Sequence, residues 1–288
     1  MQKKASPQKP KTLTPQAILS ALQNVSTSSI STPYQAFRGI DNLDYQNNQA
    51  KYCYAISFLQ LLFHSQIVTN YLFSEKIENK NDIILQNLLN SLYVENNENS
   101  IKLDYFVRKF RGWRGRYRIP NDYCDIFEFG QFLLDSLSKD FSDIFLHDII
   151  NDEEYLYQTD EDSFRKYFLQ LPVSNSTIQN ILNDKLSTIQ QIHKLPQCLF
   201  ISLLRQDTDK FNKQHVSVNS FIQISDITYK FVGAAMLHMA KSGKKVPRNK
   251  KQFQKKYSNK KDKRLFIGHF TCIIKIDDHH FLFDDDKV

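Results

Sequence analysis

A thiol, an imidazole and a carboxylate stand far apart in this sequence, each where the local pattern makes it chemically usable. Cys53 closes the segment Asn48-Gln49-Ala50-Lys51-Tyr52-Cys53 and opens a run to His64 in which Ile56, Leu59 and Phe63 recur at helical spacing, widened by Phe58 and Leu62. A cysteine in the first turn of a helix meets unpaired backbone N–H groups and the positive end of the helix dipole, which favour a thiolate. His269 lies in Gly268-His269-Phe270 at the start of an expected strand, and Asp284 lies in Phe283-Asp284-Asp285-Asp286 at the end of the next. A turn at 277–279 pairs those strands antiparallel and brings His269 towards Asp284. A base oriented by a carboxylate is what an attacking cysteine requires. Asn48, upstream of the cysteine, carries an amide able to donate to the oxyanion formed when a thiolate attacks a carbonyl. Singly, each has an ordinary structural explanation: a buried cysteine, a turn asparagine, a core histidine, a solvated acidic turn. Their order along the chain makes the signal.

The elements that must position these residues fall into two halves. Helices are expected at 53–64, 82–93, 101–110 and 125–138, so the first half is mainly helical. From about residue 195 the pattern turns to short β-type runs. These are Cys198–Leu204, Ser220–Ile224, Tyr229–Met236, Phe266–Ile276 and His280–Phe283, expected to form an antiparallel sheet. Helices followed by strands describe an α+β fold, with a cleft between the layers as the natural site.

The 288 residues are 41% hydrophobic and 13% aromatic, enough for a packed core and unlike a disordered chain. No apolar run approaches a membrane span and Met1–Lys11 has no apolar core of a signal peptide, so an intracellular chain in cytoplasm or nucleus, without a membrane partner, is expected. Cys53, Cys124, Cys198 and Cys272 form no CxxC pair, which gives neither a disulfide framework nor a zinc knuckle. The formal charge of +7 is unevenly spread. Residues 240–264 hold ten Lys, two Arg and one Asp (+11), and residues 1–34 hold four Lys and no acid (+4), which leaves the remainder at −8. Residues 1–33 read as a flexible basic tail, with a short helix at 14–25 that begins at Thr14-Pro15 and aligns Ile18, Leu19 and Leu22.

Four segments, in order, resemble the boxes of the ubiquitin-specific protease family. Asn48 to Gln60 is similar to the cysteine box N-x-G-x-T-C-Y-x-N-S-x-L-Q without a gap; a second alignment, with a six-residue insertion, uses Gly39-Ile40-Asp41-Asn42 instead. Tyr123 to Asp135 is similar to Q-Q-D-A-H-E-F-x-x-x-L-L-D, and Leu195 to Arg205 to L-P-x-x-L-x-x-x-L-x-R. Tyr229 to His238, Gly268-His269-Phe270 and Phe283-Asp284-Asp285 resemble the histidine box. The departures are Ala50, Tyr52 and Ile56 in the cysteine box and the absence of the paired CxxC motifs of the family's zinc-binding fingers.

The resemblance implies a papain-like thumb and palm with reduced fingers over residues 34–288, interrupted by the basic insertion 240–264. It implies Cys53 as nucleophile, His269 as base, Asp284 as orienting acid and Asn48 as oxyanion donor, with Asp285 as an assistant or a solvent-facing neighbour. The implied reaction is hydrolysis after the C-terminal glycine of ubiquitin or a ubiquitin-like protein, and it calls for no metal or organic cofactor. The acidic body suits a modifier that is basic around its tail. The rival is a ubiquitin-binding scaffold of the same fold without activity. Residues 240–264, with Phe253 and Tyr257 among lysines, suit an acidic protein or nucleic acid, although no recognised nucleic-acid module is present.

Overall fold

The computed structural model describes residues 38–42, 52–74, 77–92, 101–110, 125–150, 167–187, 191–207, 210–239, 268–285 and 287. The tail 1–33 with its expected helix at 14–25, Asn48, Cys124 and the insertion 240–264 lie outside them.

The molecule is built around α1 (Cys53–Phe63). Ten of its eleven residues are buried, the signature of a helix wrapped on all sides rather than of a surface helix with one wet face. Around it stand α2 (Gln66–Leu72), α3 (Lys80–Leu92), α4 (Asp104–Lys109), α5 (Ile126–Asp135) and the short α6 (Lys139–Ser142). Asp125 caps α5 by accepting from the N–H groups of Phe127 at 2.7 Å and Glu128 at 3.2 Å. The α1–α5 contact is close. A Cβ on Gly130 would lie 2.6 Å from Phe168 Cζ and 2.8 Å from Phe58 Cε2, so any side chain there would displace those rings. Phe58 meets Phe129 edge-on and lies against Phe168 and Phe200, an aromatic knot that joins the helices to the first strands. Asp82 of α3 is fully buried and accepts from Ser138 N at 3.1 Å, Ser138 Oγ and Tyr71 OH, so one carboxylate ties α2, α3 and the turn before α6 together.

The strands are β1 (Ile40–Asp41), β2 (Ile101–Lys102), β3 (Asp148–Ile150), β4 (Phe168–Pro172), β5 (Gln191–Lys194), β6 (Phe200–Leu204), β7 (Gln206–Asp207) and β8 (Lys210–Phe211). Then follow β9 (Phe221–Ile224), β10 (Ile227–Lys230), β11 (Gly233–Met239), β12 (Gly268–Ile276) and β13 (His279–Phe283). The helix α7 (Ile178–Leu186) lies between β4 and β5. The helical first half and strand-rich second half agree with expectation. Among the described residues the expected antiparallel sheet is not one sheet. Among the described strands, β11–β12–β13 make a three-stranded antiparallel sheet, β6 pairs with β4 in parallel, and β9–β10 form a separate hairpin. The expected strand 229–236 breaks at Phe231–Val232, whose residues leave the hairpin and enter the sheet. Likewise 101–110 divides into β2 and α4.

The sheet β11–β12–β13 lies directly on α1. A Cβ on Gly233 would come within 2.5 Å of Ile273 O and 2.9 Å of Leu61 Cδ2, so the missing side chain sets how closely the sheet approaches the helix. Cys272, Ile274 and Phe283 face inward with Leu61, and the helix carrying Cys53 and the strand carrying His269 become parts of one packed layer pair.

Candidate active site

Cys53 is the first residue of α1. Its N-cap, Tyr52, gives no side-chain cap, so no side chain of its own covers the helix start. The thiol is 5% exposed and lies against β12, where the backbone of Phe270 hydrogen-bonds to it. Helix position alone predicts a lowered thiol pKa. The structure reverses the sign: burial raises it first, the negative charge of Asp285 raises it further, and the bonds from Phe270, Tyr54 and its own backbone pull back incompletely.

His269 sits at the start of β12, next to Phe270, and Asp284 follows β13. The tight turn at Asp277–Asp278, with Asp277 at φ 52°, folds β13 back on β12 in the register Ile276↔His279 to Cys272↔Phe283, the expected hairpin. That register sets His269 Nε2 2.5 Å from Asp284 Oδ1. Both side chains are about two-fifths exposed. With Nε2 held by the carboxylate, Nδ1 is the ring nitrogen left to exchange a proton.

Asp285 does more than face solvent. Its backbone is left-handed at φ 56°, its carbonyl accepts from Ile40 N at 3.0 Å, and its Oδ2 accepts from Asn42 Nδ2 at 2.8 Å. Asn42 is 5% exposed, and its Oδ1 accepts from Tyr52 N at 2.7 Å. One amide thus joins the residue after Asp284 to the residue before Cys53. Gln60, buried two turns along α1, donates from Nε2 to Arg38 O at 3.0 Å and fastens the same 38–42 segment. Asn42 was visible only through the gapped alignment, and Asn48 lies outside the described residues. Among the described residues, the group whose ligand atoms converge is His269, Asp284 and Asp285, within 4.8 Å of one another. Two of these three residues, His269 and Asp284, are the hydrogen-bonded pair itself.

An α+β fold in which a helix opening on cysteine packs against an antiparallel sheet carrying histidine and aspartate is the architecture of papain-like hydrolases. The chain belongs to the ubiquitin carboxyl-terminal hydrolase family, whose model matches residues 46–288. Among solved structures it is similar to an essential yeast splicing factor, at 16% identity and a TM-score of 0.61 over 92% of this chain and 69% of that one. It is also similar to the Ubp8/Sgf11/Sus1/Sgf73 module of SAGA bound to ubiquitin aldehyde, at 15% identity and a TM-score of 0.56 over 94% and 70%. The same module with a singly substituted Ubp8, bound to monoubiquitin, gives 15% identity and a TM-score of 0.58 over the same shares. At such identities the likeness is one of fold. No curated protein matches the sequence. Among the described residues, no helix is long and apolar enough to cross a membrane.

Proposed function

We propose that this chain is a cysteine-type hydrolase that cleaves the isopeptide or peptide bond after the C-terminal glycine of ubiquitin or a ubiquitin-like protein. The observation that carries the reading is the His269–Asp284 pair at 2.5 Å on the strand whose next residue bonds to the thiol of Cys53. The thiol proton of Cys53 moves to His269 Nδ1 as Sγ attacks the glycine carbonyl carbon, a transfer that burial of the thiol, which favours its neutral form, makes necessary. The tetrahedral intermediate collapses to a thioester as the leaving amine takes that proton, and His269 then deprotonates the water that frees the glycine carboxylate. Asp284 holds the ring throughout and stabilises its positive charge each time the ring is protonated. The oxyanion donor is an asparagine amide: Asn48 by the ungapped alignment, or Asn42 by its bonds to Tyr52 and Asp285.

A ubiquitin-binding scaffold without activity is the second reading, favoured by the burial of Cys53 and by the charge of Asp285 that opposes its ionisation. A ubiquitin probe with an electrophilic C-terminus separates the two. Labelling of the wild type and not of Cys53→Ala is expected. Tight binding of ubiquitin with no labelling at any pH would favour the scaffold. The insertion 240–264 is assigned, on its charge, to docking an acidic protein or nucleic acid.

A further inference from the structure

The base stands near the end of its sheet. β11 and β12 pair from Gly233↔Ile274 to Met239↔Gly268, so His238↔His269 is the last pair but one before residues 240–267 intervene. On the other side, the β12–β13 ladder starts only at Cys272↔Phe283. Among the described strands, the backbone of His269 is therefore paired with β11 alone. Ladder ends open more readily than ladder centres, and a displacement of about 1 Å in a reacting group costs roughly 10²-fold in rate.

Directly opposed residues of an antiparallel pair project from the same face, and a diagonal neighbour is within reach of a ring. This end of the sheet uses that diagonal. His238 Nε2 lies 2.8 Å from Thr271 Oγ1; the ring is exposed, whereas Thr271 is 3% exposed and lies two residues after His269 on the same face of β12. We propose that His238 is a positioning residue for His269: through Thr271 it fastens the end of β11 to β12 and fixes the strand from which His269 meets Cys53. The proposal rests on the roles given to Cys53 and His269 above.

The test uses the full chain with His238→Ala, His238→Gln and Thr271→Val. One readout is kcat and KM on a ubiquitin C-terminal reporter. The other is the pH profile of Cys53 alkylation by iodoacetamide, followed on the Cys53 peptide by mass spectrometry, which needs no ubiquitin. A well-placed imidazolium stabilises the thiolate, so a loosened His269 moves alkylation to higher pH. His238→Ala and Thr271→Val are expected to lower kcat roughly 10- to 100-fold with little change in KM and to move the profile upward. His238→Gln, which keeps a hydrogen-bonding amide, retains most of the activity, and the double variant is no worse than either single one. Should His238→Ala unfold, Thr271→Val decides alone, since it keeps both the ring and the buried volume. A wild-type alkylation profile and kcat in Thr271→Val, or equal loss in His238→Gln and His238→Ala, would overturn the proposal. A wild type that turns over no reporter overturns the hydrolase reading instead, and the alkylation comparison still decides the role of His238.

Discussion

At the scale of single residues, the proposed chemistry rests on hydrogen bonds between parts of the chain that local pattern does not connect. Asn42 and Asp285 are 243 residues apart and meet through one amide. If Asn42 donates to the oxyanion, Asn42→Ala should lower kcat roughly 10²- to 10³-fold while KM changes little, because the bond forms only as charge develops on the oxygen. Asn48→Ala measured beside it separates the two alignments: whichever amide is the donor carries the loss, and equal small effects would remove asparagine from the role. The positions of Cys53, His269 and Asp284 were legible because each sits at the edge of a regular element, where helical or two-residue periodicity fixes its place. Asn42 was reached only through the gapped alignment, because the segment between it and Cys53 has no periodicity to set the gap. The direction of the Cys53 shift was also illegible, since burial depends on the whole core around α1 and outweighs the helix terminus.

At the scale of elements, α1 joins the site to the core, and its far end carries a titratable group. His64 follows the helix, bonds through Nδ1 to Gln60 O at 2.7 Å and lies 5.1 Å from the ring of Phe283. Burial pushes its pKa down to about 4. The folded value lies below the unfolded value of about 6.5, so the unfolded chain binds the extra proton. Stability linked to this group is present above pH 6.5 and is lost as pH falls towards 4, by about 3 kcal/mol in all. Urea unfolding at pH 7.5 and 4.5 should therefore show a smaller acid loss in His64→Gln than in the wild type; equal losses would mean that His64 is protonated without cost. Other elements show how far pattern reaches. α1, α3 and α5 and the β12–β13 hairpin follow their periodicity, whereas β4 and α7 were unforeseen. β4 is a five-residue strand whose partner in parallel pairing, β6, lies beyond an intervening helix, and such pairing leaves no turn signal in the sequence. The expectation of one antiparallel sheet failed for the same reason.

At the scale of the whole molecule, charge is divided between an acidic remainder of −8 and the +11 of residues 240–264. The pairing of Met239 with Gly268 shows where that segment joins the sheet: it begins two residues after His238, and Arg264, its last residue, stands five residues before His269. On the proposed function, a basic segment rooted beside the site opposes the attraction of an acidic body for a modifier with a basic tail unless an anion neutralises it. Docking of an acidic partner is therefore the use that its charge supports. Exposed charges are screened over about 8–10 Å near physiological salt, and neutralising nucleic-acid phosphates releases counterions, so this contact must weaken steeply with salt. Replacing 240–264 by a short Gly-Ser linker should leave thermal stability and reporter cleavage close to wild type, because the paired ends Met239 and Gly268 remain. Binding to a single-stranded oligonucleotide or an acidic peptide should fall, and the gap between the two proteins should narrow as salt is raised. An unchanged, salt-insensitive affinity would remove the segment from partner binding. Unfolding of the linker variant would make the segment part of the fold, which its charge density argues against.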